Sequence, residues 1–462
     1  MAGGAAADLS GKETGTCKPA ADTWALEPSK AIGGVYNDVS NFFDLSRVPA
    51  SASSNMATKT SKFALLLIFF TVFIDLIGFG IIIPLLPTFA EHFGAGGFLV
   101  GLLVMSYSLM QFFFTPFWGR LSDNVGRRPI LLISLTASAA GYLIWGFAGS
   151  LWMLFLSRMV AGFGNANIAV AQAYIADVTT PENRAKGMGL VGAAFGLGFV
   201  LGPALGALCV GKGAIHIAGF LAAGFSILDL VLTFFFLPEP ERRSQAGHER
   251  FVMRPEFYWQ VLTNERLRVS LAIFFISTFA FANMEATLVL LTEHKYGFTV
   301  QQNGLMFAYI GLIMVFVQGG LIGRLSKRFG EQKLIFFGSL LVVLGLLGTP
   351  ASTAPLVLYG ALALLALGSG MNTPANQSML SKLAPAEDVG GIMGVGQSLS
   401  TLGRILGPLA GGAAFQYFGM QSPYFVGAAA MIAACVLSLL LPRVDAEGRP
   451  VTTAPAPSEV KS

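Results

Sequence analysis

Charged side chains stand inside long apolar runs of this 462-residue chain at Asp75, Arg158, Asp229, Glu285 and Arg404. A charge at the centre of a lipid bilayer costs about 2.5–3.5 kcal/mol on insertion scales, so such residues usually face a cavity or a partner. Three carboxyl groups and two guanidinium groups leave at least one carboxyl without a cationic partner. Since burial favours the neutral form of a carboxyl, that group is suited to carry a proton. We predict that Asp75 or Glu285 alternates between a proton and a cationic substrate.

A polar segment between two apolar runs occurs twice. Gly-Arg-Leu-Ser-Asp-Asn-Val-Gly occupies 119–126, and Gly-Arg-Leu-Ser-Lys-Arg-Phe-Gly occupies 323–330, at an offset of 204 residues. A second pair of similar segments, 197–203 and 402–408, has an offset of 205. Two echoes at nearly one offset indicate an internal duplication. The sequence therefore predicts two equivalent six-helix units, and parallel repeats of this kind place a binding site at their interface near the membrane midplane.

The composition is that of a membrane protein. Hydrophobic residues make up 54% of the chain and charged residues 12%, with a mean hydropathy of +0.66, whereas about 25% charge is usual in soluble domains. Apolar runs of about 20 residues match the hydrocarbon thickness of a bilayer. The predicted fold class is therefore an all-α membrane protein with twelve transmembrane helices in two six-helix bundles.

Several classes of ligand are not expected. The chain has no Walker-type nucleotide motif, and its three cysteines, Cys17, Cys209 and Cys435, lack the spacing of a metal site. We expect no cofactor and no enzymatic activity. The net charge of +4 is explained by loop lysines and arginines, without a nucleic acid. The expected partners are a small-molecule substrate, protons and membrane lipid, and the expected state is a monomer.

Twelve apolar runs are candidate membrane spans, numbered here from the N-terminus. They lie at 63–86, 97–118, 130–148, 151–176, 187–210, 215–237, 269–292, 302–322, 334–350, 354–380, 390–415 and 423–441. The predicted division of the chain is a disordered tail, six spans, a cytoplasmic linker, six spans and a second disordered tail, at 1–55, 56–237, 238–268, 269–442 and 443–462.

The short loops predict the orientation in the membrane. Lysine and arginine are abundant in the loops after even-numbered spans, whereas only Lys212 and Lys295 follow odd-numbered spans. Cytoplasmic loops carry the excess of Lys and Arg. We therefore expect the even-to-odd loops and both termini to face the cytoplasm, most simply across the plasma or inner membrane.

Two motifs resemble those of the major facilitator superfamily. The segment 119–128 is similar to its Gly-x-Leu-x-Asp-x-x-Gly-Arg-Arg signature, and Gly189, Gly198, Gly202, Pro203 and Gly206 follow the fifth-span pattern of its drug/proton antiporters. The segments 75–87, 107–111, 158–162 and 173–177 resemble the tetracycline/proton antiporters and tetracycline-transporter-like proteins. The chain departs from that branch where acids are expected, at Gly141 and near Val342, and Lys327 replaces the Asp in the second copy of the loop.

The resemblance implies roles for particular residues. Arg158 matches an arginine tied to proton transfer, so the predicted proton-coupling set is Asp75, Glu285 and Arg158. The predicted gate contains Asp123 at the start of span 11, where a carboxylate gains about 0.3–1 kcal/mol from a helix N-terminus, and a contact of either Arg127 or Arg120 with Asp177 at the end of span 4. Its full set is Gly119, Arg120, Asp123, Gly126, Arg127, Arg128 and Asp177. These bonds are expected to join the two halves in the outward-facing state.

Helix packing and substrate binding are assigned to two further sets. Glycines four residues apart allow close helix approach, so Gly198, Gly202 and Gly206, with Pro203, are predicted packing residues. Polar and aromatic residues in the spans are predicted to bind substrate: Gln111, Asn165, Gln172, Asn372, Gln377 and Phe275.

These features favour a proton-coupled exporter of lipophilic or cationic compounds that works by alternating access. Two alternatives stay open at this point. One is a facilitator or symporter for another small solute, such as a sugar or an organic anion. The other is a non-transporting membrane receptor or scaffold.

Overall fold

A computed structural model of the chain describes residues 57–165, 167–179, 181–209, 215–240, 255–385 and 388–442. The predicted tails, at 1–55 and 443–462, and part of the linker, at 241–254, lie outside the described residues. The described helices belong to one compact unit that spans 54–462.

Six long helices form the first half, and their lengths suit a bilayer because each residue adds about 1.5 Å. Helix α1 continues through a short 3-10 turn at Ile83–Leu85 into Leu86–His92, and α4 is interrupted after Gly164. The bounds are Ala57–Ile82 for α1, Gly97–Val125 for α2, Arg127–Gly146 for α3, Leu151–Gly164 with Asn167–Val178 for α4, Pro181–Cys209 for α5 and Ile215–Phe236 for α6.

Six more long helices form the second half, after a short linker helix at Pro255–Thr263. Helix α8 contains a π-helical segment, Val317–Leu321. The bounds are Arg268–Tyr296 for α7, Val300–Phe316 with Ile322–Phe329 for α8, Glu331–Ala351 for α9, Pro355–Leu383 for α10, Val389–Phe418 for α11 and Ser422–Leu439 for α12.

The all-α membrane fold predicted from the sequence is confirmed. Within the described part of the chain, eleven helices are long and apolar enough to cross a membrane. Helix α11 has the length, 30 residues, but is not among the eleven. The number of twelve spans therefore stays a prediction.

The repeated polar segment is mostly helical, and this corrects its interpretation as a loop at 119–129. Helix α2 continues through it to Val125, and α3 begins at Arg127, so a single glycine separates the two helices. Gly126 has φ 126° and the corresponding Gly330, between α8 and α9, has φ 78°. Side-chain-bearing residues rarely adopt positive φ. The repeat therefore preserves a one-residue reversal between consecutive helices.

The two halves share one packing pattern, displaced by six helices. Helix α1 packs on α5 and α6, and α7 packs on α11 and α12; α3 packs on α4 and α6, and α9 packs on α10 and α12. Contacts between the halves come mainly from α2 against α11 and α5 against α8. Large apolar cores are centred on α7, α9 and α12 in one half and on α1, α3 and α6 in the other.

The halves touch at one end of the bundle, the end with the 93–96 and 297–299 turns. There a Cβ on Gly412 would lie 3.0 Å from Gly101 Cα, and one on Gly304 would lie 2.8 Å from the Pro203 carbonyl oxygen. At the opposite end, a Cβ on Gly119 or Gly323 would meet nothing within 4 Å. Within the described residues, the molecule is therefore closed at the first end and open at the end that carries the repeated segments.

Candidate functional site

A cavity of about 560 Å³ lies between the halves, next to the closed end. Its lining combines apolar side chains with one acid, two arginines, a tyrosine and a serine. Five helices contribute: Phe79, Ile83, Leu86 and Pro87 from the α1 region; Val104, Tyr107 and Ser108 from α2; Arg158 from α4; Ala282, Glu285 and Ala286 from α7; and Arg404 and Pro408 from α11.

Arg158 is buried beside this cavity without an acidic partner. The residue is only 3% exposed. Its guanidinium carbon lies 5.4 Å from the ring centre of Tyr107 and 5.7 Å from that of Trp145. Within the described residues, Nε and Nη2 have no hydrogen-bond partner. Aromatic faces attract the cation but leave its N–H groups unpaired. Arg158 therefore presents free donor capacity at the edge of the cavity.

Glu285 and Arg404 reach the same cavity from α7 and α11. The described part of the structure contains no ion pair between them within 4.0 Å. The Arg404 Nη2 atom makes a long contact of 3.4 Å with the Thr401 hydroxyl, and its Nε has no partner among the described residues. Both charges therefore remain available to a molecule in the cavity.

Asp75 and Asp229 form a second buried site, outside the cavity lining. Asp75 is 3% exposed and accepts a hydrogen bond of 3.5 Å from Ser138; Asp229 is 1% exposed and accepts one of 3.4 Å from Thr233. Thr233 also lies 3.2 Å from the Thr71 hydroxyl. The structure thus separates Asp75 from Glu285, although the sequence analysis placed both in one proton-coupling set.

The six predicted substrate-binding residues lie outside the lining of this cavity. Gln111 donates to Asn165 at 2.8 Å, and Asn165 donates to the Tyr107 hydroxyl, so both support a lining residue. Asn372 accepts from Ser277 at 3.0 Å and donates to Ser339 at 2.7 Å, which joins α7, α9 and α10. The remaining three are an exposed Gln172, a partly buried Gln377, and Phe275, which stacks on Phe279.

The sequence did not single out most of the lining residues because their apolar types occur throughout the spans. Arg158, Glu285 and Arg404 were singled out as charges within spans, and the segments 75–87 and 107–111 contain further lining residues for which the sequence indicated no role. The internal repeat indicated an interface between halves, but not which helical faces meet there.

The predicted gate residues lie in one cluster within the first half. Arg127 Nε contacts the Asp177 carboxylate at 2.8 Å, the contact that the sequence suggested, and Arg127 Nη1 lies 2.5 Å from Asp123. In this conformation Asp123 therefore forms an ion pair with Arg127 and does not lie at the start of α11. The space beside Gly390, in the first turn of α11, is open, since a Cβ there would meet nothing within 4 Å. In this conformation the cluster joins α2, α3 and α4 and does not connect the two halves, because this end is open.

Glu239 completes this cluster and was missed by the sequence analysis. Its Oε1 accepts from the Arg127 backbone N–H at 2.7 Å and its Oε2 accepts from the Arg128 N–H at 2.9 Å. A carboxylate at a helix N-terminus satisfies free N–H groups and the helix dipole. The Arg128 guanidinium donates to the Phe234 carbonyl, and the Tyr174 hydroxyl donates to the Pro238 carbonyl at 2.7 Å. The end of α6 is thereby fixed to the start of α3.

The glycines of α5 lie against α1. A Cβ on Gly202 would lie 2.7 Å from Gly80 Cα, and one on Gly206 would lie 3.0 Å from the Ile81 carbonyl oxygen. Gly198 faces Leu76 one turn earlier. Pro203 lies within the continuous helix α5, and its carbonyl faces Gly304 of α8. Helix α5 therefore lies between α1 of its own half and α8 of the other.

The closed end carries a polar contact between halves. The Thr88 hydroxyl donates to Glu293 at 2.5 Å, Asn303 donates to the same carboxylate at 3.1 Å, and His294 Nε2 lies 3.8 Å from Glu91. Thr88 and Glu91 follow α1, and Glu293 and His294 end α7. No sequence motif indicated these pairs, since each residue lies at the edge of a span.

Long helices in two similarly packed halves, closed at one end around a polar cavity, define an α-helical membrane transporter. The chain belongs to the Major Facilitator Superfamily, whose family model matches residues 68–350 and 319–462. The family predicted from the sequence motifs is confirmed.

Named relatives support this membership. The class H tetracycline resistance protein of Pasteurella multocida is 32% identical over 390 residues, covering 82% of this chain and 95% of that protein. The class G protein of Vibrio anguillarum is 35% identical over 350 residues, covering 73% and 86%. The crystal structure of the human organic anion transporter MFSD10 (TETRAN) has a TM-score of 0.64 and 27% identity, covering 82% of this chain and 99% of that one.

Proposed function

We propose that this protein exports lipophilic organic compounds in exchange for protons by alternating access. The observation that carries the proposal is the cavity at the interface of the halves, closed at one end and lined by Glu285, Arg158 and Arg404. The similarity to proteins named for tetracycline resistance and to the Bacillus subtilis multidrug resistance protein 1, 29% identical over 357 residues, supports export.

The open and closed ends support the alternating-access part. The closed end rests on backbone-close contacts of α2 with α11 and of α5 with α8, and such contacts separate without unfolding either half. At the open end, the cluster of Arg127, Asp123 and Asp177 is exposed enough to meet the other half when that end closes. The predicted gating set keeps this role as part of the proposal.

The proton has two candidate sites. Glu285 is the acid of the cavity, and Asp75 lies in the separate buried site with Asp229. A buried carboxyl that lacks a cationic partner takes up and releases a proton as its surroundings change. We propose that at least one of the two carries the coupling proton.

The proposal extends to the setting of the protein. It acts as a monomer in the plasma or inner membrane, with the basic open end and both termini in the cytoplasm, and performs no covalent chemistry. The open end is then the entrance for compounds from the cytoplasm.

Flux in proteoliposomes tests the proposal. Purified protein should accumulate members of a lipophilic compound panel when an outward-directed proton gradient is imposed, with substrate-dependent proton release that an uncoupler abolishes. Asp75→Asn or Glu285→Gln should remove the coupling, whereas Glu256→Gln, at an exposed acid of the linker helix, should not. Flux that ignores every proton gradient, or full coupling in both variants, would overturn the proposal.

A further inference from the structure

We infer that the cavity binds an amphipathic organic anion, whose acidic group lies between Arg158 and Arg404. The inference rests on the proposed transport function and specifies the charge of its substrate. A cationic substrate was predicted from the sequence, on the hypothesis that Asp75 or Glu285 alternates between a proton and that substrate. The structure places only one of these acids in the cavity.

The charge of the lining favours an anion. Two arginines and one glutamate line the cavity, which gives a formal charge of +2 − 1 = +1 with Glu285 ionised and +2 with Glu285 protonated. Asp75 and Asp229 lie outside the lining and are engaged by Ser138 and Thr233. By the lining charges alone, a cation in this cavity would meet a net positive charge in either state of Glu285. An organic anion would be attracted in both states.

The hydrogen-bonding state of the arginines gives independent support. Arg158 is only 3% exposed, yet its Nε and Nη2 atoms have no hydrogen-bond partner in the described part of the chain. Arg404 has one long contact and an unpaired Nε. Leaving a buried charged donor unpaired costs more than leaving a neutral one unpaired. The planar N–H groups of guanidinium fit carboxylate and sulfonate oxygens, so an acidic ligand supplies the missing partners.

The rest of the cavity fits an apolar body. Phe79, Ile83, Leu86, Val104 and Ala282 are apolar residues in the lining of the same cavity. An aromatic or branched aliphatic group of the ligand would contact these side chains. The ligand is therefore amphipathic, with its acid on the α4 and α11 side.

An anionic substrate also decides between the two proton sites. In an exchanger, binding of the proton must not strengthen binding of the substrate in the same conformation. A proton on Glu285 makes the cavity more positive and therefore strengthens the binding of an anion. The coupling proton of an exchanger for anions therefore belongs to Asp75, outside the lining. Glu285 then tunes the affinity for the anion.

A matched pair of fluorescent probes tests the inference. Binding of 1-pyrenebutyrate and of its ammonium analogue, 4-(1-pyrenyl)butylamine, is measured on purified protein in nanodiscs by energy transfer from tryptophan, with empty nanodiscs subtracted. The carboxylate should bind at least tenfold more tightly than the amine. Arg404→Gln should weaken its binding at least tenfold, Arg404→Lys less, and Glu285→Gln should strengthen it several-fold. Arg158→Gln should act as Arg404→Gln does, and the exposed Arg266→Gln is the matched control.

Each result decides the inference. Tighter binding of the amine, equal binding of both probes, binding of neither, or an affinity for pyrenebutyrate unchanged in both Arg404→Gln and Arg158→Gln overturns it. Arg404 and Arg158 lie on different halves, so misfolding of one variant does not remove the test. The proposed function fails separately, when no compound of the flux panel is exchanged for protons. Proton-coupled flux of amines or neutral compounds alone would keep the proposed function and reject the anion.

Discussion

The hydroxyl oxygens of Thr71 and Thr233 lie 3.2 Å apart between α1 and α6. The two helices run in opposite directions, so residues four positions onward on α1 pair with residues four positions back on α6. This register places Asp75 opposite Asp229 in a buried layer of the first half, where both are at most 3% exposed. Two carboxyl groups in one buried layer are not both ionised without a large cost. The layer is therefore a place where a proton can be held apart from the substrate.

We predict that Asp75→Asn abolishes proton coupling while substrate binding survives. The amide cannot release a proton, so proton-driven flux should fall at least tenfold and lose its dependence on pH. Ser138→Ala, which removes only the hydrogen bond of 3.5 Å to Asp75, should change flux little. The measurement is substrate-dependent proton release from vesicles at several pH values. A wild-type pH profile in Asp75→Asn would contradict this assignment.

We predict that Glu239→Ala lowers stability without changing the cavity. Its carboxylate binds the first two N–H groups of α3, and such an interaction contributes about 0.3–1 kcal/mol at an exposed helix end. The midpoint of thermal unfolding should fall by about 1 °C or less, because the unfolding entropy of so long a chain is large. Glu256→Ala, at an exposed acid of the linker helix, is the control. Equal unfolding midpoints of the two variants would show that the cap contributes nothing.

We predict opposite effects of Gly→Ala substitutions at two positions of α5. A Cβ on Gly202 would lie 2.7 Å from Gly80 Cα, a backbone atom that moves only if the helices separate. Overpacking of this kind costs about 1–3 kcal/mol. A Cβ on Gly189 would meet nothing within 4 Å, so Gly189→Ala should be neutral or stabilising because alanine favours a helix. Unfolding in detergent measures both. A Gly202→Ala variant as stable as Gly189→Ala would refute the close packing of α5 on α1.

The sequence predicted what depends on local pattern. Apolar runs gave the positions of the helices because a bilayer demands unbroken apolar length, and the repeated Gly126 and Gly330 marked equivalent reversals between helices. A contact of Asp177 with Arg127 or Arg120 was predicted, because both arginines lie in the 119–128 motif and Asp177 ends the fourth span; the structure places Arg127 there. Each of these features is written in consecutive residues or in one known motif.

The cavity and the cap depend on which helical faces meet, and that information is not local. Glu239 follows α6 but acts on the start of α3, more than 100 positions away in the chain. Asp75 and Glu285 look alike in the sequence, since each is a lone acid in an apolar span. They occupy different sites because Asp75 lies on the face of α1 that packs on α6, whereas Glu285 lies on the part of α7 that lines the cavity. Only the packing of helices distinguishes them.

We predict that a side chain at Gly101 shifts the protein toward the conformation open at the other end. Gly101 of α2 lies against Pro408 and Gly412 of α11, and a Cβ there would lie 3.1 Å from the Pro408 carbonyl carbon. Gly101→Val should therefore prevent the closed end from forming. Distances between spin labels at Ser122→Cys and Ser326→Cys, at the open end, should shorten. The matched variant is Gly323→Val, at a position where a Cβ has no neighbour within 4 Å in this conformation. Its side chain obstructs closure of the open end, so the distance between the two labels should stay as long as in the wild type. If both variants give the wild-type distance distribution, the contact of α2 with α11 does not determine which end is closed.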